Sequence, residues 1–239
     1  MRNYRMYING KWVDALSGKT FATVNPSTGE ELGRVPLAGR EDVDEAVKAA
    51  SEAFTGWSKA MQAERAKAIL RFAALIREHS QELIDLEVNE HGTPVMLARG
   101  FAAAAVDQLE YIASISRGIM GQVLPQSMPH TVGYLQRVPI GVCAVITPWN
   151  VPLMMMLSMV GPAIVMGNTA ILKPASVNSI LAVKFMEILE KADLPRGVVN
   201  LVTGPGGTVG DALASHPGVD VVRFTGATDT GKVILQAAS

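Results

Sequence analysis

The chain has 239 residues, of which 49% are hydrophobic and 18% are charged, and its formal net charge is −1. This composition excludes a disordered chain and predicts one large domain or two small ones with a substantial core. The near-neutral charge, without a basic run, argues against a nucleic-acid partner. The single cysteine excludes a disulfide framework and favours a reducing compartment, so we expect a cytoplasmic protein.

No segment of the sequence predicts a membrane anchor or a signal peptide. The first residues lack an apolar core of the kind that signal peptides carry. The longest apolar helical segment, residues 152–166, is shorter than the roughly 20 residues of a bilayer span. We therefore expect no membrane partner.

The N-terminal part predicts short strands followed by helices. Apolar and polar residues alternate over residues 4–14, which predicts a strand or hairpin arm that turns at Asn9-Gly10. Residues 26–29 predict a second turn. Apolar residues then recur at helical spacing in three segments, 41–54, 63–90 and 94–117. We expect the second helix to break at His79-Ser80 with Ser80 as a cap, and we expect His79 and His91 to lie on the surface.

Residues 121–138 interrupt this pattern with two extended pieces around a turn of Pro, Ser and His residues. The pattern predicts a β-hairpin. A two-stranded hairpin is not stable by itself, so this one must pack on another surface, such as a second subunit.

From residue 140 onward, apolar strands alternate with helices. The predicted strands are 140–146, 169–172, 198–202 and 219–224, and the predicted helices are 152–166, 178–192, 208–215 and 228–238. This alternation predicts an α/β fold in which a Rossmann-like parallel sheet is flanked by helices. An N-terminal helical layer and a projecting β-hairpin arm complete the predicted architecture.

Polar residues follow the first two strands of that predicted sheet. Trp149 and Asn150 come after the first strand, and Lys173 and Ser176 come after the second. In open α/β sheets, ligands bind at the carboxyl ends of the strands. The sequence therefore places an indole, an amide and an ammonium group around one crevice.

The motifs ITPWN and GNTAILKPAS, at residues 146–150 and 167–176, resemble those of the aldehyde dehydrogenase superfamily. INGKWV and NPSTGE near the N-terminus are also typical of that family, and the resemblance covers essentially the whole chain as the N-terminal half of a family enzyme. It implies an NAD(P)-binding Rossmann-like domain at residues 1–120 and 139–239 and an oligomerisation hairpin at 121–138, with the catalytic domain absent. Because Ser239 falls within a predicted helix, we expect a fragment or a truncated product.

The resemblance also assigns roles to individual residues. It implies that the Asn150 amide stabilises an oxyanion, that Lys173 binds the adenosine ribose of NAD or NADP, and that no metal takes part. The residues implied to bind the cofactor are Ile146, Thr147, Pro148, Trp149, Lys173, Ala175, Ser176, Gly206, Gly210, Phe224, Thr225, Gly226, Ala227, Thr228, Thr230 and Gly231.

Two of these positions allow another interpretation. Ser176 stands where many relatives carry a glutamate that repels a 2′-phosphate, so the serine predicts that NADP is tolerated; alternatively it caps the following helix. GATDTGK at residues 226–232 nearly matches a phosphate-binding P-loop, but Val233 cannot ligate magnesium. Ala227 replaces the serine of the usual FTGST motif, which removes one hydroxyl contact to phosphate.

The predicted chemistry is incomplete within this chain. Family enzymes use a cysteine nucleophile and a glutamate base to oxidise an aldehyde to a carboxylic acid, whereas Cys143 lies within an apolar strand. We expect the complete enzyme to be a homo-oligomer, dimer or tetramer, and this chain to be inactive by itself. The alternatives are a non-catalytic dinucleotide-binding module and an interaction subunit. By the same resemblance, Met154, Met155 and Ser158 are expected to flank the aldehyde tunnel.

Overall fold

A six-stranded mixed sheet forms the centre of the computed structural model, which describes residues 2–239. The strands in chain order are β1 (Met6–Ile8), β2 (Lys11–Val13), β3 (Thr20–Val24), β4 (Glu31–Pro36), β5 (Gln122–Leu124), β6 (Gly133–Leu135), β7 (Val142–Ile146), β8 (Thr169–Lys173), β9 (Val199–Leu201) and β10 (Val221–Phe224). The central sheet has the order β10-β7-β8-β9-β1-β2, while β3 pairs with β4 and β5 pairs with β6.

The four strands predicted after residue 140 are parallel, which confirms the predicted α/β fold. Ile146 at the end of β7 pairs with Lys173 of β8 on one side and with Phe224 of β10 on the other. The carboxyl ends of these three strands therefore meet at one edge of the sheet.

The N-terminal hairpin extends the same sheet, which the sequence did not predict. β1 pairs antiparallel with β9 through Tyr7 and Leu201. The predicted turn is present, with Asn9 at φ 52° and Gly10 at φ 72°, as a tight two-residue hairpin turn requires. The hairpin of β3 and β4 was also not predicted beyond its turn at residues 26–29.

Helices cover both faces of the sheet. They are α1 (Arg40–Trp57), α2 (Gln62–Glu78), α3 (Ser80–His91), α4 (Val95–Ser116), α5 (Pro152–Val165), α6 (Ser179–Glu190), α7 (Asp211–Ala214) and α8 (Thr228–Ala237). The break near residue 79 is confirmed, but Ser80 is not its cap, since His79 occupies the N-cap position and no side chain caps α3. The predicted helix at 208–215 is shortened to α7 because Gly206–Gly210 forms a π-helical turn.

The side chains of β7 alternate between two hydrophobic cores. Cys143 and Val145 pack with residues of α2 to α6, whereas Val142 and Ala144 pack with residues of α1 and α7. Both faces of β7 are thus buried, as expected for a strand inside a parallel sheet.

Helix α5 is fixed at its C-terminal end by side chains from the corner between α1 and α2. Trp57 Nε1 donates to the Ile164 carbonyl at 2.8 Å, and Gln62 Nε2 and Arg65 Nε donate to the Val165 carbonyl at 3.1 and 3.0 Å. The Val165 carbonyl is one that the end of a helix leaves free, and the Ile164 carbonyl accepts the Trp57 bond in addition to the Gly167 N–H at 3.0 Å. These side-chain bonds fix the helix whose other end adjoins Trp149 and Asn150.

The hairpin of β5 and β6 pairs only with itself among the described residues, and its apolar side chains are exposed. Val123 is 79% exposed, Val132 is 84% exposed and Tyr134 is 70% exposed. This is the projecting arm predicted from the sequence. None of the helices within residues 2–239 has both the length and the apolar character needed to cross a membrane.

Candidate functional site

The candidate site lies where the order of the strands reverses. From β7 the chain proceeds through β8 to β9 on one side of the sheet, and then returns to place β10 on the other side of β7. Such a switch point opens a crevice beyond the carboxyl ends of the strands, where ligands of this fold class bind. The segments 147–150 and 225–231 leave the sheet at this point.

The turn that carries Trp149 and Asn150 is held in place by two hydrogen bonds. The Thr147 N–H donates to the Lys173 carbonyl at 3.1 Å, and Asn178 Nδ2 donates to the Trp149 carbonyl at 3.0 Å. Asn150 is exposed, and Trp149 is 60% exposed. The backbone of the turn is therefore fixed, while the Asn150 amide remains accessible.

Asn178 is a site residue that the sequence analysis missed. It was assigned only to the start of a helix, but it is buried at the end of a 3₁₀ turn, 29 residues away from the carbonyl it binds. No local sequence pattern identifies such a long-range contact.

Lys173 ends β8 as a buried ammonium group. It is 3% exposed, and its Nζ donates to the adjacent Pro174 carbonyl at 3.0 Å. Burial lowers its pKa to about 8, so the group is largely protonated at neutral pH. An ammonium has three N–H donors, and within residues 2–239 only the Pro174 carbonyl accepts from this one.

Ser176 is not a helix cap, contrary to the alternative interpretation of the sequence. Its Oγ donates to the Gly204 carbonyl at 3.1 Å, while Ala175 and Asn178 occupy the N-cap positions of the turn and of α6. This bond joins the loop after β8 to the loop after β9. The serine hydroxyl is uncharged, so unlike a carboxylate it does not repel a phosphate.

The loop after β10 leads directly into α8. The Thr225 N–H donates to the Ile146 carbonyl at 3.3 Å, and a Cβ on Gly226 would collide with the Phe224 ring. Thr228 begins α8, and no side chain caps that end of the helix. The first N–H groups of α8 therefore lack intrahelical partners and favour an anion.

The remaining predicted cofactor residues are distributed more widely. Gly231 lies within α8, where its N–H already donates to the Ala227 carbonyl at 3.0 Å. Gly206 and Gly210 flank the π-helical turn after β9, which is two strands away from β7. The structure therefore brings together residues 146–150, 173–176 and 224–230, while the two glycines lie in the turn after β9.

The C-terminal end of α3 places two groups near this site that the sequence analysis did not recognise. His91 is partly exposed, and its ring centroid lies 5.6 Å from that of Trp149. Glu90 is buried and accepts the Ile180 and Leu181 N–H groups at 2.7 Å each. Glu90 thus caps α6, the helix that begins beside Asn178. His79, in contrast, pairs with Glu82 at 3.6 Å at the partly exposed end of α2.

Cys143 cannot act as a nucleophile at this site. It is 2% exposed within β7, and burial raises its pKa to about 11. A thiol must lose its proton to become nucleophilic. Residues 2–239 also contain no cluster of three His, Cys, Asp or Glu residues that could hold a metal ion.

Comparison with known proteins shows which family the chain belongs to. The sequence profile of the aldehyde dehydrogenase family matches residues 12–239, so the chain belongs to that family, as its motifs predict. The NADP-dependent D-glyceraldehyde dehydrogenase of Thermoplasma acidophilum is 37% identical over 98% of the chain and 48% of its own length.

Solved structures give the same result. The NAD-dependent aldehyde dehydrogenase of Sinorhizobium meliloti superposes with a TM-score of 0.95 at 37% identity, over 99% of this chain and 48% of its own. The structure of PnpE in complex with nicotinamide adenine dinucleotide superposes with a TM-score of 0.95 at 39% identity. The match covers 98% of this chain and 48% of the PnpE chain. The chain thus spans about half the length of the relatives it matches.

Proposed function

We propose that the chain is the coenzyme-binding half of an NAD(P)-dependent aldehyde dehydrogenase that oxidises an aldehyde to a carboxylic acid. The observation that carries this proposal is the crevice at the switch point of the sheet. There an accessible amide, Asn150, lies beyond β7, and a buried ammonium, Lys173, ends the neighbouring β8.

The residues around the crevice fit a dinucleotide. Lys173 and Ser176 offer a cationic donor and a neutral hydroxyl for the adenosine ribose or a 2′-phosphate. The first turn of α8 offers free N–H groups for phosphate. When bound, the nicotinamide would accept the hydride removed from the substrate.

Asn150 is assigned to the oxyanion that forms when the aldehyde carbonyl is attacked. A fixed amide donor of this kind typically lowers a barrier by about 3–4 kcal/mol. The hydrogen bond from Asn178 to the Trp149 carbonyl supports this role because it fixes the preceding residue without using the Asn150 side chain.

The other reacting groups are assigned to residues outside this chain. Cys143 is buried within a strand that advances about 3.3 Å per residue, and it lies seven residues before Asn150. A side chain cannot reach across that separation. We therefore assign both the nucleophile and the general base to the rest of the complete polypeptide.

NADP is proposed as an accepted cofactor because Ser176 places no carboxylate beside Lys173. The NADP-dependent relative from Thermoplasma acidophilum supports this assignment. We also propose that residues 121–138 form an oligomerisation arm beside a dinucleotide-binding domain of residues 1–120 and 139–239. The exposed apolar side chains of the arm support a homo-oligomer, and the single cysteine supports a cytoplasmic location.

Calorimetric titration of residues 1–239 with NADP and with NAD tests the cofactor assignment. Lys173→Met should weaken NADP binding by about tenfold or more, since a charge-assisted hydrogen bond is lost. The matched control is Lys11→Met, on the exposed edge strand β2. If the parent chain binds neither dinucleotide, the alternative of an interaction subunit gains support and this proposal fails.

The complete polypeptide tests the chemistry. Asn150→Ala should reduce kcat for aldehyde oxidation by about 10²–10³ and leave the dinucleotide Kd unchanged. An unchanged kcat would remove Asn150 from the reaction and favour a non-catalytic module. Cys143→Ala should leave kcat unaltered.

A further inference from the structure

Helix α3 buries a carboxyl group that makes no hydrogen bond of normal geometry. Glu87 is 1% exposed, and no donor within residues 2–239 meets either of its carboxyl oxygens at normal hydrogen-bond distance and angle. The Thr93 hydroxyl and the Leu153 N–H face this carboxyl and hold its pKa down, although burial outweighs them and raises the pKa to about 7. Because Leu153 lies in the first turn of α5, the buried carboxyl adjoins the helix that follows the Trp149–Asn150 turn.

A chain of contacts leads from this carboxyl to the turn itself. Thr93 is buried, and its Oγ1 lies 2.7 Å from Nδ1 of His91. The half-buried His91 ring is tilted by 40° against the Trp149 ring, with 5.6 Å between the two centroids. Glu87, Thr93 and His91 therefore connect the start of α5 with the indole that precedes Asn150.

We propose that His91 is a positioning residue for the Trp149–Asn150 turn and that Thr93 fixes the orientation of its ring. The effect of this positioning on catalysis rests on the role proposed above for Asn150. Asn178 holds the Trp149 carbonyl from the side of α6. His91 holds the Trp149 indole from the side of α3, so the turn is fixed at both its backbone and its side chain.

Hydrogen-bond chemistry explains why a threonine suits this arrangement. A hydroxyl has one proton and two acceptor lone pairs. When the Thr93 proton is directed toward the Glu87 carboxyl, its oxygen accepts from Nδ1–H of His91. The imidazole is then held in one tautomer and one ring orientation against Trp149.

Hydrogen–deuterium exchange and tryptophan emission of residues 1–239 test the proposal without requiring enzymatic activity. His91→Gln and Thr93→Val should each speed exchange in the peptide 147–153 about tenfold, the factor expected for loss of one hydrogen bond or a similar contact. Thr93→Ser, which keeps the hydroxyl, should exchange like the parent. His79→Gln, at the other end of α3, is the matched control and should also leave this peptide unchanged.

Emission from Trp149 gives an independent readout, obtained by subtracting the spectrum of a Trp149→Phe variant. His91→Gln should change this emission because it removes the ring packed on the indole, whereas His79→Gln should not. Unchanged exchange and unchanged emission in His91→Gln would overturn the proposal, and so would equal effects of Thr93→Ser and Thr93→Val.

In the complete polypeptide, His91→Gln should lower kcat about tenfold, as expected for a misplaced oxyanion donor, and leave the dinucleotide Kd unchanged. A raised Kd with an unchanged kcat would contradict a role in positioning Asn150. Failure of the parent to bind a dinucleotide would instead reject the proposed function, and the exchange and emission results would still decide whether His91 holds the turn.

Discussion

Two carboxyl groups of α3 are buried in different surroundings. Glu90 accepts two backbone N–H groups of α6 at 2.7 Å each, whereas the Glu87 oxygens accept no hydrogen bond of normal geometry among the described residues. Burial raises the pKa of each to about 7. A carboxyl whose pKa is raised on folding stabilises the protein most below its unfolded pKa, and this stabilisation is lost as the pH rises through the folded pKa.

Glu87→Gln should therefore reduce the loss of stability between about pH 4.5 and 7, because an uncharged amide has no titration in that range. The gain in free energy of unfolding above pH 7 should reach about 3 kcal/mol at most. Urea denaturation at pH 5 and at pH 8 measures it. Glu90→Gln is the contrasting variant, since losing one acceptor for α6 should destabilise at both pH values. An identical pH dependence in Glu87→Gln and the parent would show that Glu87 does not titrate in this range.

Ser176→Glu should shift cofactor preference toward NAD. A carboxylate beside Lys173 would repel a 2′-phosphate and compete for the ammonium. The ratio of the NADP and NAD dissociation constants, measured on residues 1–239, should change by at least about tenfold. The ratio of kcat/KM values in the complete polypeptide should change in the same direction. Ser27→Glu, in an exposed turn, is the control, and an unaltered ratio in Ser176→Glu would remove this serine from the explanation of cofactor choice.

At the scale of elements, α5 is the helix that supports the site, and its ends are fixed differently. Its N-terminal turn adjoins Glu87, while its last carbonyls accept side-chain hydrogen bonds from Trp57, Gln62 and Arg65. The bonds from Trp57 and Arg65 are buried, so water cannot replace either donor when it is lost.

Trp57→Phe should destabilise the chain by about 1–3 kcal/mol through the lost buried hydrogen bond to the Ile164 carbonyl, which keeps only backbone donors such as the Gly167 N–H, and through the smaller side chain. Trp12→Phe is a matched control, because Trp12 Nε1 donates to the solvent-accessible carboxylate of Glu190 at 3.2 Å. Thermal and urea unfolding compare the two variants. Equal losses of stability would show that the bond to Ile164 adds nothing.

The sequence predicted this region well because its signals are local. Apolar runs, Pro152 at a helix start and Gly167 after its end predicted β7, α5 and β8 within one or two residues. The contacts of Asn178 and His91 with Trp149 join positions 29 and 58 residues apart (178 − 149 and 149 − 91). No periodicity encodes such contacts, so these two residues of the site could not be predicted.

At the scale of the whole molecule, the arm formed by β5 and β6 presents apolar side chains that nothing within residues 2–239 covers. Further exposed apolar residues lie on α4, among them Met96 and Tyr111. Exposed apolar surface of this kind favours association.

We therefore expect residues 1–239 to self-associate, and we expect replacement of residues 122–135 by a short glycine-serine linker to reduce that association. Sedimentation velocity over a range of protein concentrations measures both. Circular dichroism should show that the helices persist without the arm. A parent chain that stays monomeric throughout the range would contradict this expectation.

The pairing of Tyr7 with Leu201 joins the two ends of the chain across 194 positions (201 − 7). Closing so long a loop carries a large entropic penalty before any contact compensates for it. During synthesis, β1 and β2 emerge first but have no partner strand until β9 has been made. We therefore expect the N-terminal hairpin to dock only after β9 has been made. Until then β9 has an open edge, which exposes the nascent chain to misassembly.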